Sequence, residues 1–89
     1  MAWTTTKLEQ FANGNIYEQI WELAADSGTV ELSTGLAVLR AAVCQPKSFT
    51  STVPNVQVNL LSAGTASNGI VSVTGCTSGD TMYLIVYGR

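Results

Sequence analysis

Turn-forming residues recur along this chain at intervals that leave only strand-length segments between them. Asn-Gly and Asp/Ser-Gly pairs supply the positive φ angles that tight hairpins need, and Val, Ile, Thr and aromatic residues fill the intervals. The turn signals are Asn13-Gly14-Asn15, Asp26-Ser27-Gly28, Ser33-Thr34-Gly35, Gly64, Asn68-Gly69 and Ser78-Gly79-Asp80. This spacing predicts an all-β fold, a single small antiparallel β-sandwich or barrel of about six to seven strands.

Alternation of apolar and polar residues marks individual strands. It is clearest in residues 56–60 and recurs in 70–74, which predicts a hairpin joined through the polar stretch 62–69. Residues 81–87 are apolar on both faces, as is typical of a central strand or of one covered by a partner. Residues 36–44 are similarly apolar and form a second central-strand candidate.

Residues 15–26 fit two interpretations. Asn15 followed by Glu18 resembles a helix capping box, and several apolar residues fall at helical spacing. Read as a strand, the segment places Tyr17, Gln19, Trp21 and Leu23 on one face and Ile16, Glu18, Ile20 and Glu22 on the other. We favour the strand because an all-β neighbourhood gives it partners. Residues 48–55, with Pro46 before them and Pro54 within, are expected to form a surface loop.

The length sets the domain organisation. A chain of 89 residues is expected to form one β domain over 1–89, in which the Thr-rich residues 1–6 form an edge strand or an amino-terminal arm. A domain of this size has a thin stability margin, and association with copies of itself or with a larger partner would add buried area.

The charge pattern excludes several classes of function. The chain has four Lys or Arg residues, all scattered, six Asp or Glu and no His, giving a net charge of −2. Nucleic-acid binding is disfavoured because it needs clustered basic residues, and no apolar run is long enough for a membrane. Without His, two Cys cannot complete a metal site, so neither metal nor cofactor is expected. Because so few residues are charged, most of the surface must be neutral, which suggests that another protein covers it.

Candidate reactive groups have simpler explanations. Glu18 and Glu22 share a face in either interpretation, but a solvated face accounts for them, and turn chemistry accounts for Asp26 and Asp80. In the absence of a secretory signal, Cys44 and Cys76 are expected to be free, buried thiols rather than a disulfide. We therefore predict no catalytic residues and no enzymatic activity.

The aromatic residues leave alternatives open. Together they could form a platform for sugar rings, although core packing is favoured for Trp21, and Trp3 could contact a partner or fold back on its own domain. The residues concerned are Trp3, Tyr17, Trp21, Tyr83 and Tyr87.

The order of several short motifs resembles that of a known class. The motifs are Met1-Ala2-Trp3, residues 11–15, Ser33-Thr34-Gly35-Leu36, Gln45-Pro46-Lys47-Ser48, Ser78-Gly79-Asp80 and the ending 83–89. Over nearly the whole chain this resembles the small head-associated structural proteins of tailed bacteriophages, the decoration or cement type. The resemblance implies a non-enzymatic β domain, made in the host cytoplasm, that binds the major capsid protein on the outer surface of the virion. It often implies a homo-oligomer, with a trimer favoured at local threefold positions.

No capsid-contact residue is carried over from that resemblance. Exposed edge strands add to neighbouring sheets, and a strand that is apolar on both faces suits a covered position, so the partner contacts are expected at Trp3, Thr4, Thr5, Tyr83 and Tyr87. The alternatives are a phage tail, neck or fibre component, and a carbohydrate-binding module.

Overall fold

The described residues form seven strands in two antiparallel sheets. The structure, a computed structural model, describes residues 3–48 and 54–89. The strands are β1 (Thr4–Asn13), β2 (Ile16–Ala24), β3 (Thr29–Ser33), β4 (Leu39–Ser48), β5 (Asn55–Leu60), β6 (Ala66–Thr74) and β7 (Thr81–Gly88). Sheet A has the order β1-β2-β7-β4 and sheet B the order β3-β6-β5. The prediction of an all-β fold is confirmed, as a sandwich of two sheets.

The core lies between the two sheets. Sheet A contributes every second residue of β2, β7 and the start of β4, and sheet B contributes the alternating residues of β3 and β6. The buried cluster consists of Trp21, Leu23, Leu32, Leu39, Val71, Val73, Met82, Leu84 and Val86. The alternation predicted in residues 56–60 and 70–74 is confirmed for their Val residues, which lie in or against the core, although Ser72 between Val71 and Val73 is buried as well. In residues 81–87, which are apolar on both faces, Met82, Leu84 and Val86 face the core.

Residues 15–26 contain a strand, as favoured over the helix. In β2 the residues Gln19, Trp21 and Leu23 are buried while Glu18, Ile20 and Glu22 lie on the opposite face. The two-residue turn before it places Gly14 at φ 66°, the left-handed region that glycine adopts without strain. Trp21 is a core residue, as expected.

Two predicted positions need correction. Residues 36–44 were expected in a central strand, but β4 begins at Leu39 and lies at the edge of sheet A. It continues through Pro46, which an edge strand tolerates because only one side of its backbone needs hydrogen bonds. Strand β6 begins at Ala66, inside the stretch 62–69 that was expected to be a hairpin connection.

Other predictions are confirmed in part or lie outside the described residues. Strand β7 is central in sheet A, between β2 and β4. The amino-terminal segment is an edge strand from Thr4 onward, and residues 1–2 are not described. Of the predicted loop 48–55, Ser48 ends β4 and Asn55 begins β5, whereas residues 49–53 lie outside the described residues.

The side-chain amide of Asn59 links the two sheets at one end of the sandwich. Asn59, at φ 57° in a bulge of β5, accepts hydrogen bonds from the backbone N–H groups of Leu39 and Gly69 at 2.9 and 3.1 Å. Its Nδ2 donates to the Leu39 carbonyl at 2.8 Å. The amide therefore acts as an inserted peptide group that joins β4 of sheet A to β6 of sheet B.

Gly69 occupies the tightest point of this closure. It is buried at φ 84°, and a Cβ there would overlap the Leu36 carbonyl oxygen. Its own carbonyl accepts hydrogen bonds from the Thr34 N–H at 3.1 Å and the Thr34 hydroxyl at 2.7 Å. A side chain at this position would have to push the loop after β3 away from β6.

We predict that Gly69→Ala lowers the free energy of unfolding by about 1 to 3 kcal/mol more than Gly35→Ala, because overpacking a fixed contact costs about that much. Gly35 is the matched control, since its φ is 80° and no atom lies within 4 Å of the added Cβ. Urea denaturation followed by Trp fluorescence measures both. Equal losses in the two variants would contradict the assignment of Gly69 to a packed closure.

Candidate functional site

The outer face of sheet A is apolar at its centre. Cα pairing across three strands aligns Ile20, Ile85 and Val43, and the adjacent row aligns Glu18 with Tyr87. We call the following six residues the apolar face: Phe11, Ile16, Ile20, Val43, Ile85 and Tyr87. Phe11 is 49%, Ile16 46% and Val43 53% exposed, so the described part of the chain leaves this face open to solvent. A shallow cleft of about 130 Å³ lies between Phe11, Ile16, Glu18 and Tyr87.

One ion pair borders the apolar face. The Lys47 Nζ lies 2.8 Å from a Glu22 carboxylate oxygen and 5.1 Å from the centroid of the Tyr83 ring. The hydrogen bond and charge of Glu22 raise the pKa of Lys47. Both charges of this pair are therefore satisfied within the chain, whereas Glu9, beside Ile20, and Glu18, between Phe11 and Tyr87, place two further carboxylates on the same outer face.

The outer face of sheet B has the opposite character. Its Cα pairing aligns Glu31, Ser72 and Gln57, and both flanking residues are exposed. Glu31 accepts hydrogen bonds from the backbone N–H and the hydroxyl of Ser62 at 2.7 and 2.9 Å, and these bonds lower the pKa of its carboxyl group. This row is polar, with Glu31 and Gln57 exposed on either side of the buried Ser72, and Gln57 provides an exposed control position for the apolar face.

A second feature is an open groove of about 620 Å³ between the two sheets, beside β3. Its walls are formed by the backbone edge of β3 on one side and by Thr5 and Trp21 of sheet A on the other. Trp3 closes one end, where its Nε1 donates a 3.0 Å hydrogen bond to the Ser27 hydroxyl. We call this feature the β1–β3 groove.

The five predicted contact residues separate into two groups. Thr4 pairs with Ala24 and lies, with Tyr83 and Tyr87, on the outer face of sheet A. Trp3 and Thr5 line the β1–β3 groove instead. Trp3 also packs against the core cluster, so it folds back on its own domain, which was one of the two alternatives left open. The contact hypothesis itself remains a prediction.

Sequence reasoning missed part of the apolar face. Phe11 and Val43 are among its most exposed members, and neither was a candidate. Ile16 and Ile20 were assigned to one face of the strand 15–26 together with Glu18 and Glu22, and in the structure that face is the outer one. Phe11 could have been found by extending the alternation backwards across the Asn-Gly turn, because hairpin register fixes which residues share a face.

The candidate reactive groups do not converge. Glu18 and Glu22 share the outer face of sheet A, as predicted, and Glu22 is bound to Lys47. Asp80 is buried in the turn before β7, where its carboxylate accepts a hydrogen bond from the Thr77 N–H at 2.9 Å. Within residues 3–48 and 54–89 no group of three or more His, Cys, Asp or Glu side chains is placed to hold a metal ion.

The aromatic residues do not form one platform. Trp21 is only 9% exposed, and its Nε1 donates to the buried Gln19 amide at 2.9 Å. The Lys7 Nζ lies 6.0 Å from the centroid of its ring. Tyr83 and Tyr87 belong to the opposite face of sheet A. Among the described residues these rings are therefore divided between the two faces of sheet A.

The two cysteines are free and half-buried against the core. Burial raises the pKa of the Cys44 thiol to about 11, and the nearby Cys76 sulfur adds to the shift. Burial and then the charge of Asp80 raise the pKa of Cys76. A raised pKa favours the neutral thiol, which is neither the nucleophile nor the metal ligand.

Comparison with family models, curated proteins and solved structures finds no match to this chain. Among the described residues there is no helix of the length and apolarity needed to cross a membrane. The functional argument therefore depends on the surfaces themselves.

We predict that Cys44 in the folded protein reacts with a thiol reagent at pH 8 roughly 100-fold more slowly than in urea, since two pKa units reduce the thiolate fraction by that factor. Disulfide exchange with an aromatic disulfide, measured in a Cys76→Ser variant, isolates this thiol. Because the folded pKa is raised from 9.0 to about 11, the stability contribution is present below pH 9.0 and is lost as pH rises through the folded pKa. Equal reaction rates of Cys44 in the native and urea-unfolded states would contradict a raised pKa of this thiol.

Proposed function

We propose that this protein is a structural component of a tailed bacteriophage head, where it binds the major capsid protein on the outer surface and stabilises the shell. The proposal starts from the motif resemblance, and the observation that carries it here is the apolar face of sheet A. A sheet face with Phe11, Ile16 and Val43 each about half exposed leaves apolar area in water that a protein partner could cover. No catalytic step is part of the proposal.

The composition of this face suits repeated weak contacts. Full burial of one Ile, Val or Phe side chain is worth about 1.5 to 3 kcal/mol, and part of that is already gained because Ile20, Ile85 and Tyr87 are half-buried. A single copy would therefore bind with modest affinity. When one oligomer bridges several capsid subunits, the contacts act together and the total affinity rises without any strong individual site.

Self-association is the second part of the proposal. Small domains bury a limited share of their surface, and association adds to it. A homo-oligomer, with a trimer favoured, would present several copies of the apolar face to a lattice with local threefold symmetry. Because Lys47 is already paired with Glu22, docking would not have to separate new charges there, but a partner that covers this face also has to accommodate the carboxylates of Glu9 and Glu18.

We predict that Val43→Arg weakens co-sedimentation with expanded phage heads lacking this protein by at least about tenfold, because the interface would have to bury an unpaired charge. Gln57→Arg is the matched control, since it introduces the same side chain and the same charge at an exposed position on the outer face of sheet B. Circular dichroism checks that both variants fold.

Two outcomes would overturn the proposal. One is a protein that is a stable monomer by light scattering and does not sediment with heads. The other is equal loss of binding in Val43→Arg and Gln57→Arg, which would remove the apolar face from the interaction. Immunogold labelling of tails, necks or fibres instead of heads would assign the protein to that part of the particle.

A further inference from the structure

The two sheets of the sandwich differ in width. Sheet A has four strands and sheet B has three, and the extra strand of sheet A is β1, whose main contacts are with β2 alone. Strand β1 therefore extends past the edge of sheet B, and the β1–β3 groove lies beneath it. The groove occupies the position that a fourth strand of sheet B would fill.

The free edge of β3 has the backbone hydrogen-bonding groups needed to pair with such a strand. In an antiparallel pair, every second residue directs its N–H and C=O groups away from its partner. The Thr34 N–H donates to Gly69 and the Cys76 N–H donates to the Gly28 carbonyl, so the even-numbered residues face β6. Thr29, Glu31 and Ser33 consequently direct their backbone groups into the groove, where no strand of the described chain pairs with them.

The other sheet edges carry features that discourage pairing. Strand β1 has a register shift between Lys7 and Glu9, and β5 has one between Val58 and Leu60. Strand β4 has two shifts and contains Pro46. Proteins protect exposed edges with bulges, charges and proline of this kind. The pairing of β3 with β6 runs from Thr29 to Ser33 without a shift, so β3 is the regular edge.

Hydrogen bonds mark both ends of the groove. At one end the Ser27 hydroxyl accepts a hydrogen bond from the Trp3 Nε1–H group and donates one to the Thr29 carbonyl oxygen at 3.2 Å. At the other end the Gln19 Nε2 donates to the Thr34 carbonyl at 3.0 Å and to the Gln10 amide at 2.9 Å. The open stretch between them corresponds to the 5 residues of β3.

We propose that the β3 edge binds an extended segment of a partner polypeptide, about five residues long, as the fourth strand of sheet B beneath β1. Backbone hydrogen bonds to Thr29, Glu31 and Ser33 supply the affinity. Alternate side chains of the segment point inward toward Trp21 and Leu32 and are small or apolar. This site is separate from the apolar face and does not depend on what that face binds.

The proposal is tested with short peptides of about ten residues, a length that covers one strand, selected from a random display library on the purified protein and then synthesised. Binding is measured by Trp fluorescence and by amide hydrogen exchange. We expect the selected peptides to alternate apolar and polar residues without proline in the paired stretch, and to slow exchange at Thr29, Glu31 and Ser33.

Two pairs of variants locate the binding. Thr5→Trp fills the groove and is expected to weaken peptide binding at least tenfold, whereas Thr4→Trp places the same side chain on the other face of β1 and leaves binding unchanged. Ser33→Pro removes one outward N–H without breaking the ladder to β6, and Ser33→Ala keeps that N–H while removing the hydroxyl. Ser33→Pro should weaken peptide binding, and Ser33→Ala should not.

Several results would overturn the proposal. They are a library that yields no binder, peptides that bind Thr5→Trp and Thr4→Trp equally well, and slowed exchange on the outer face of sheet A instead of on β3. Binding of the protein to a glycan array, lost in Thr5→Trp and unaccompanied by peptide binding, would assign the groove to a sugar.

Discussion

The packing of a four-stranded sheet on a three-stranded one is the constraint on which the rest of this structure depends. Among the described residues, nine buried apolar side chains form the cluster between the sheets, and that core extends only as far as the narrower sheet. The wider sheet must therefore leave part of itself unopposed. The overhang of β1 and the open side of β3 are two consequences of this one mismatch. Because the core is small, the outer surfaces form a large part of the molecule, and the composition of these surfaces differs between the two sheets.

Where the apolar core ends, hydrogen-bonded polar side chains hold neighbouring elements together. The Gln19 amide is 1% exposed and is fully engaged, by Trp21, Thr34 and Gln10. The Asn59 amide completes the contact between β4 and β6. Buried amides are costly unless they are hydrogen-bonded, and once satisfied they fix the relative position of the elements that they join. Ser72 is the contrasting case, because its buried hydroxyl has no hydrogen-bond partner among the residues that the structure describes.

The sequence allowed the fold class and most strands to be predicted, because alternation reports directly which side of a strand is buried. It did not reveal strand order. Residues 36–44 were expected at the centre of a sheet because they are apolar, yet β4 is an edge whose exposed Val43 contributes to a surface. Tyr83 and Tyr87 were identified as surface candidates from a strand that is apolar on both faces. The groove could not be predicted at all, since Thr5 and Glu31 are brought together only by the way the sheets stack.

The internal pairing of Lys47 with Glu22 has a consequence for the conditions under which the apolar face can act. Dissolved ions screen attraction between unpaired charges, but they do not screen contacts between hydrocarbon groups. The apolar part of docking through this face would therefore be nearly the same in dilute and in moderately concentrated sodium chloride, and sulfate or phosphate would strengthen it. The carboxylates of Glu9 and Glu18 on the same face would add the part that depends on ionic strength.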